Sequence, residues 1–109
     1  MGYRSEVVIK FSEEAVEVVN AARKICPHLD ELLKINDAHP RDVNDVSALY
    51  FADIKWYEGY PDIDSMTNLL SELDEEDYGF IRIGEEDTDT ESMGVPWEYD
   101  MWVTRKISW

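Results

Sequence analysis

Bases are scarce in the stretch that dominates this sequence. Between residues 58 and 100 there is a single one, Arg82, against fifteen Asp and Glu. Residues 1–57 hold ten acids and seven bases, and the last nine residues add only Arg105 and Lys106, so the whole-chain charge of −15 is a regional feature. A surplus of this sign repels nucleic acid and anionic lipid, which excludes direct binding to either and favours basic partners or cations. Cysteine is nearly absent too. Cys26 stands alone, which excludes an intrachain disulfide and fits a reducing compartment. No stretch approaches the ~18 consecutive apolar residues of a membrane span. The opening MGYRSEVVIKFSEE lacks the apolar centre of a signal peptide, and Glu6 stands where myristoylation requires Ser or Thr.

What the chain does have is core material. With 44% hydrophobic and 12% aromatic residues over 109 positions, it is too apolar for a disordered acidic chain and long enough for a single domain, residues 1–109, with one core. Tyr3 to Phe11 alternates as a strand: Tyr3, Ser5, Val7, Ile9 and Phe11 share one face, while Arg4, Glu6, Val8 and Lys10 share a face that meets solvent or an open groove. Ser12 is placed to cap a helix whose first turn holds Glu13 and Glu14 and whose end holds Arg23 and Lys24, the favourable polarity for its dipole. Its apolar stripe reads Ala15, Val18, Val19, Ala22 and Ile25. Pro27 stops or kinks it, and a shorter helix follows on Leu29, Leu32 and Leu33.

The run NDAHPRDVND from Asn36 is loop chemistry. Ser47 to Tyr57 predicts a strand central in its sheet, because both faces begin apolar. Asp62 is positioned to cap a third helix with Ile63, Met66, Leu69, Leu70 and Leu73 on one stripe. Asp74 to Asp77 would crowd its negative pole if the helix continued that far. Tyr78 to Gly84 predicts another strand. Glu85 to Ser92 reads as an acidic loop in a connection of roughly 14 residues, unusually long for a structureless segment, with Trp97 and Tyr99 pinning its end. Met101 to Trp109 reads as the last strand. The order β-α-(α)-β-α-β-β predicts an α+β two-layer sandwich: a four-stranded mixed or antiparallel sheet with two or three helices on one face.

Three chemistries compete for the acids. Asp87, Asp89, Glu91 and Glu98 imitate the spacing of a calcium loop, but Ser92 replaces the required Gly and Pro96 interrupts the loop, so no metal site and no cofactor is expected. For catalysis the conventional candidates are Cys26, His28 and His39. The thiol sits at a helix C-terminus, where the dipole raises its pKa, and a structural thiol is the better reading. No nucleophile elbow, zinc-protease, P-loop or dinucleotide fingerprint is present. No pair of carboxylates stands out for glycoside chemistry, so no catalytic residue is assigned. The third chemistry is mimicry. Duplex DNA carries one charge per about 1.7 Å of axis, and Glu72, Asp74, Glu75, Glu76, Asp77, Glu85, Glu86, Asp87, Asp89 and Glu91 could compete for Lys/Arg grooves on a basic protein. Trp97, Tyr99 and Trp102 are candidate anchors beside them, since interface hot spots favour Trp and Tyr. The plain alternative is a solvated acidic face over core aromatics.

The opening GYRSEVVIKF and the run KWYEGYPDID…LDEEDYGFIRIGEE resemble small proteins encoded by tailed bacteriophages, which open on a GYRS(E/D)V segment and carry a DYGF-I-RIGE strand. That resemblance implies context rather than chemistry. It places the chain in the cytoplasm of a host bacterium and brings no activity and no site residues. Together these readings predict a non-enzymatic phage-type factor whose acidic side engages a basic host protein that binds nucleic acid or serves defence. It touches neither nucleic acid nor membrane directly, and homodimerisation is compatible with it. The alternatives are a small structural or accessory domain acidic only for solubility, and an enzyme with an unrecognised carboxylate site.

Overall fold

The computed structural model describes residues 3–38, 45–86, 88–103 and 107–108. His39, Asp87, Arg105, Lys106 and Trp109 lie outside that set. The fold is α+β. A four-stranded antiparallel sheet runs in the order β2-β1-β3-β4, built from β1 (Ser5–Phe11), β2 (Ala48–Ile54), β3 (Tyr78–Ile83) and β4 (Thr90–Gly94). Helices α1 (Glu13–Ile25), α2 (Pro27–Lys34) and α3 (Pro61–Glu72) cover one face. No helix among the described residues is long and apolar enough to cross a membrane.

The helix-facing core follows strand parity. Val7, Ile9 and Phe11 of β1 stand beside Tyr78 and Phe80 of β3 and meet Leu29, Leu32 and Leu33 of α2 and Met66 and Leu70 of α3. Ser12 caps α1 as expected: its hydroxyl accepts the Ala15 N–H at 3.1 Å, an interaction of about 1 kcal/mol. The stripe on α1 is narrower than the spacing predicts. Ala15 and Val19 are buried, but Val18 is 45% and Ile25 86% exposed, because α2 begins directly at Pro27 and packs beside the end of α1 without covering it. Asp62 does not cap α3. Tyr60 occupies that position and Pro61 starts the helix, as suits a residue with no N–H to satisfy. Asp64 reaches back instead and accepts the Gly59 N–H at 2.9 Å.

Four expectations are corrected. First, β2 lies at an edge and β1 in the centre. The register shift opposite Ser5 and Val7 inserts an extra residue into β2, so Ile54 joins Leu49 and Phe51 on the core face instead of alternating away from them. Tyr50, on the other face, packs against the residues that cover that side of the sheet, so apolar residues on both faces do not make this strand central.

Second, the charged face of β1 is covered. Val8 is fully buried, and with Ile81 it forms a second small core against Met101 and Ile107. Glu6 accepts the Ile107 N–H at 2.9 Å and Lys10 donates to the Tyr99 carbonyl at 3.1 Å, so these two charges fasten the C-terminal segment over the sheet.

Third, that segment is not one strand of the main sheet. It is a separate ribbon, β5 (Trp102–Val103) and β6 (Ile107–Ser108). Fourth, the fourth strand of the sheet comes from the supposed acidic loop. Gly84 donates its N–H to the Asp89 carbonyl at 2.8 Å, the chain turns, and Thr90 to Gly94 pair with β3. The polar residues there are tolerated because an outer strand needs only one buried face: Met93 packs towards the core while Thr90 and Ser92 are exposed.

The crowding of Asp74 to Asp77 on a helix pole does not arise. The chain leaves α3 at Leu73 in an extended conformation, and Glu75–Asp77 form their own 3-10 turn. A second such turn, Pro96–Tyr99, follows β4.

Candidate functional site

A cleft of about 570 Å³ opens on the helix side, where the start of α3 stands over the ends of β3 and β4. Its size is that of an ordinary ligand cleft. Strand parity places Arg82 here: Ile81 turns to the C-terminal ribbon, so Arg82 shares the helix-facing side with Phe80. The guanidinium is largely buried, with its side chain 15% exposed, and donates to both oxygens of Asp89, at 2.8 and 3.2 Å. It also donates to Glu91 at 3.3 Å and to the Ser5 hydroxyl at 3.1 Å. Tyr3 closes the arrangement by donating its hydroxyl to Asp89 at 2.6 Å and accepting the Glu86 N–H at 3.1 Å. Trp56, Tyr57 and Glu58, from the β2–α3 connection, form the opposite wall with Asp64. Trp56 is seated by its packing against Phe51 and Phe80, with ring centroids 6.1 and 5.8 Å away.

The electrostatics follow from these contacts. The Arg82 guanidinium, and then the Tyr3 hydroxyl, hold Asp89 below the ordinary carboxylate range. The same carboxylate raises Arg82 and is the main cause of the raised Tyr3 hydroxyl. Asp89 is thus a fixed anion rather than a proton donor. A carboxylate depressed by folding contributes stability that is complete above its unfolded value and lost as pH falls through the folded one. Arg82→Met should therefore lower the urea midpoint at pH 7, and the gap between variant and parent should close as pH drops below about 4. Urea unfolding followed by circular dichroism across pH 2.5–7 would check this, and a gap independent of pH would contradict it.

The acids singled out from sequence fall into two groups. Glu72, Asp74, Glu75 and Glu76 are exposed between α3 and the start of β3. Asp77, next to them, serves the fold: its carboxylate accepts the Ser12 hydroxyl at 3.0 Å and its carbonyl the Ser12 N–H at 2.9 Å. Glu85, Glu86, Asp89 and Glu91 lie at the other end of β3. Six residues of strand separate the groups by roughly 20 Å, so they do not form one row. Glu85 accepts the Arg4 N–H at 2.8 Å, while Asp89 and Glu91 are held by Arg82.

The proposed anchors also divide. Trp97 is 70% and Trp102 56% exposed. Tyr99 is half-buried and donates its hydroxyl to the Glu76 carbonyl at 2.8 Å. That bond sets the turn bearing Trp97 and Glu98 against the turn bearing Glu75 and Glu76.

Sequence reasoning missed the cleft residues Tyr3, Trp56, Tyr57, Glu58, Asp64 and Arg82. The available signal was the lone base in an acid-rich stretch, on the same strand parity as a core phenylalanine. Cys26 also departs from expectation. It ends α1 and begins α2, so the Ser65 hydroxyl beside it and the Leu29 and His28 amides at the start of α2 lower its pKa rather than raise it. Comparison with family models, with curated proteins and with solved structures yields no match.

Proposed function

We propose that this chain is a non-enzymatic binding factor of the tailed-bacteriophage type, acting in the host cytoplasm. Its exposed carboxylates engage a basic surface on a host nucleic-acid-binding or defence protein in place of DNA. The observation that carries this reading is the surface at the start of β3. There Glu72, Asp74, Glu75 and Glu76 are exposed, pair with no cation among the described residues, and adjoin the turn that presents Trp97 and Glu98. An exposed Trp beside uncompensated carboxylates is the composition of an interface anchor facing a basic partner. The second group, Glu85 and Glu86, lies roughly 20 Å away along β3. That is the axial length of about six base pairs of duplex, so a DNA-binding groove could span both. Acidity that serves only solubility remains the competing reading.

The two separate in a capture experiment from bacterial lysate. The parent protein should retain a basic protein at low salt, lose it at high salt, and release it to added duplex DNA. The variant E75K/E76K/E85K/E86K, folded by circular dichroism, should retain none of it. Equal retention by parent and variant would refute the proposal.

A further inference from the structure

We propose that the cleft between α3 and the β3–β4 hairpin receives an arginine side chain presented by that basic partner. This inference rests on the reading above and names the group recognised. The walls combine two features that a guanidinium uses together. Three aromatic residues, Tyr3, Trp56 and Tyr57, line it, and aromatic rings are the groups on which a planar cation stacks. Four carboxylates, Glu58, Asp64, Asp89 and Glu91, offer the acceptors for its forked N–H groups.

The cleft already holds one guanidinium of its own. Arg82 is gripped from two sides by Asp89 and Glu91, so the lining accommodates this group in a largely buried setting. Arg82 offsets only part of the charge. Glu58 and Asp64, on the opposite wall, have no cationic partner among the described residues, and Asp64 is engaged only through one oxygen by the Gly59 N–H. An anionic ligand is disfavoured, because Arg82, the one cation lining the cleft among the described residues, already directs four of its five N–H groups to Asp89, Glu91 and Ser5. A lysine ammonium is a less suitable occupant: it is compact and strongly hydrated, and it lacks the flat face that aromatic walls reward.

The probe is N-acetyl-arginine-methylamide, titrated into isotopically labelled protein and followed by NMR. The citrulline and lysine analogues serve as controls. The arginine probe should shift the Trp56 indole and the Thr67 and Asn68 amides, with saturation. The uncharged citrulline analogue should not shift them, and the lysine analogue should bind more weakly. Glu58→Gln, a change at an exposed residue, should weaken the arginine response roughly two- to fivefold, the range of a solvent-exposed ion pair.

Equal response to citrulline or lysine would overturn the proposal. So would shifts that never saturate and extend to the Glu75 and Glu76 amides. Failure here is distinguishable from failure of the functional reading. A parent protein whose cleft saturates with the arginine probe but which captures nothing leaves this inference standing and removes the other. Capture that persists with a silent cleft removes this inference alone.

Discussion

Gly94→Ala is expected to destabilise the fold by about 2–4 kcal/mol, combining the cost of a left-handed side chain with a lost hydrogen bond and a steric clash. Gly94 ends β4 at φ +69°, and a Cβ there would land on the Tyr78 carbonyl oxygen, with the carbonyl carbon at 3.0 Å. Both atoms belong to the backbone of an inner strand and cannot rotate aside. The same oxygen accepts the Val95 N–H at 2.9 Å, so relieving the clash would pull away the turn that carries Trp97. Gly59 provides the control. Its φ is +96°, but nothing lies within 4 Å of its missing Cβ, so Gly59→Ala should incur only the conformational cost, about 1–2 kcal/mol. Urea unfolding of the two variants side by side tests the argument, and equal losses would show that close approach is not the cause.

Phe80→Ala should cost about 3–5 kcal/mol, the usual range for truncating a buried phenylalanine. Phe80 is fully buried on β3, and its ring supports Trp56. The expected signature is therefore double. The unfolding midpoint should fall with an unchanged denaturant slope, and the near-ultraviolet circular dichroism of the tryptophans should weaken as Trp56 loses its support. Because Trp56 walls the cleft, this variant should also respond less to the arginine probe. A midpoint loss with an unaltered aromatic spectrum would mean that the Trp56 wall is held by other contacts.

How far the fold was legible depended on whether local pattern and tertiary context agreed. The strand at β3, the N-cap and polarity of α1, the leucine stripe of α2 and the stripe of α3 all followed from spacing, because β3 is apolar on both faces and each helix buries one clear side. The misreadings have specific causes. One inserted residue in β2 reverses the parity of Ile54, and no composition signal marks it. The sequence Thr90 to Gly94 reads as loop because its polarity is that of an outer strand with one solvated face. The charged positions Glu6 and Lys10 suggested solvent, yet their polar ends bond the backbone of the covering segment. For the site, charge density along the sequence concealed its division in space. β3 carries the two acid groups apart, while the cleft draws residues from Tyr3, the β2–α3 connection, α3, β3 and β4 that no linear motif brings together.

The position of β1 has a consequence for biosynthesis. β1 precedes both strands it pairs with and ends as an interior strand: β2 is its first partner, β3 follows with Glu6 opposite Ile83, and the Glu6 carboxylate accepts the Ile107 N–H. Helices α1 and α2 are free to nucleate early on local contacts. The pairing of β1 with β3 cannot close until the chain has been made through Ile83. Such distant partners slow assembly, and until β3 is made β1 keeps one apolar edge open, a state in which aggregation and chaperone capture compete with folding.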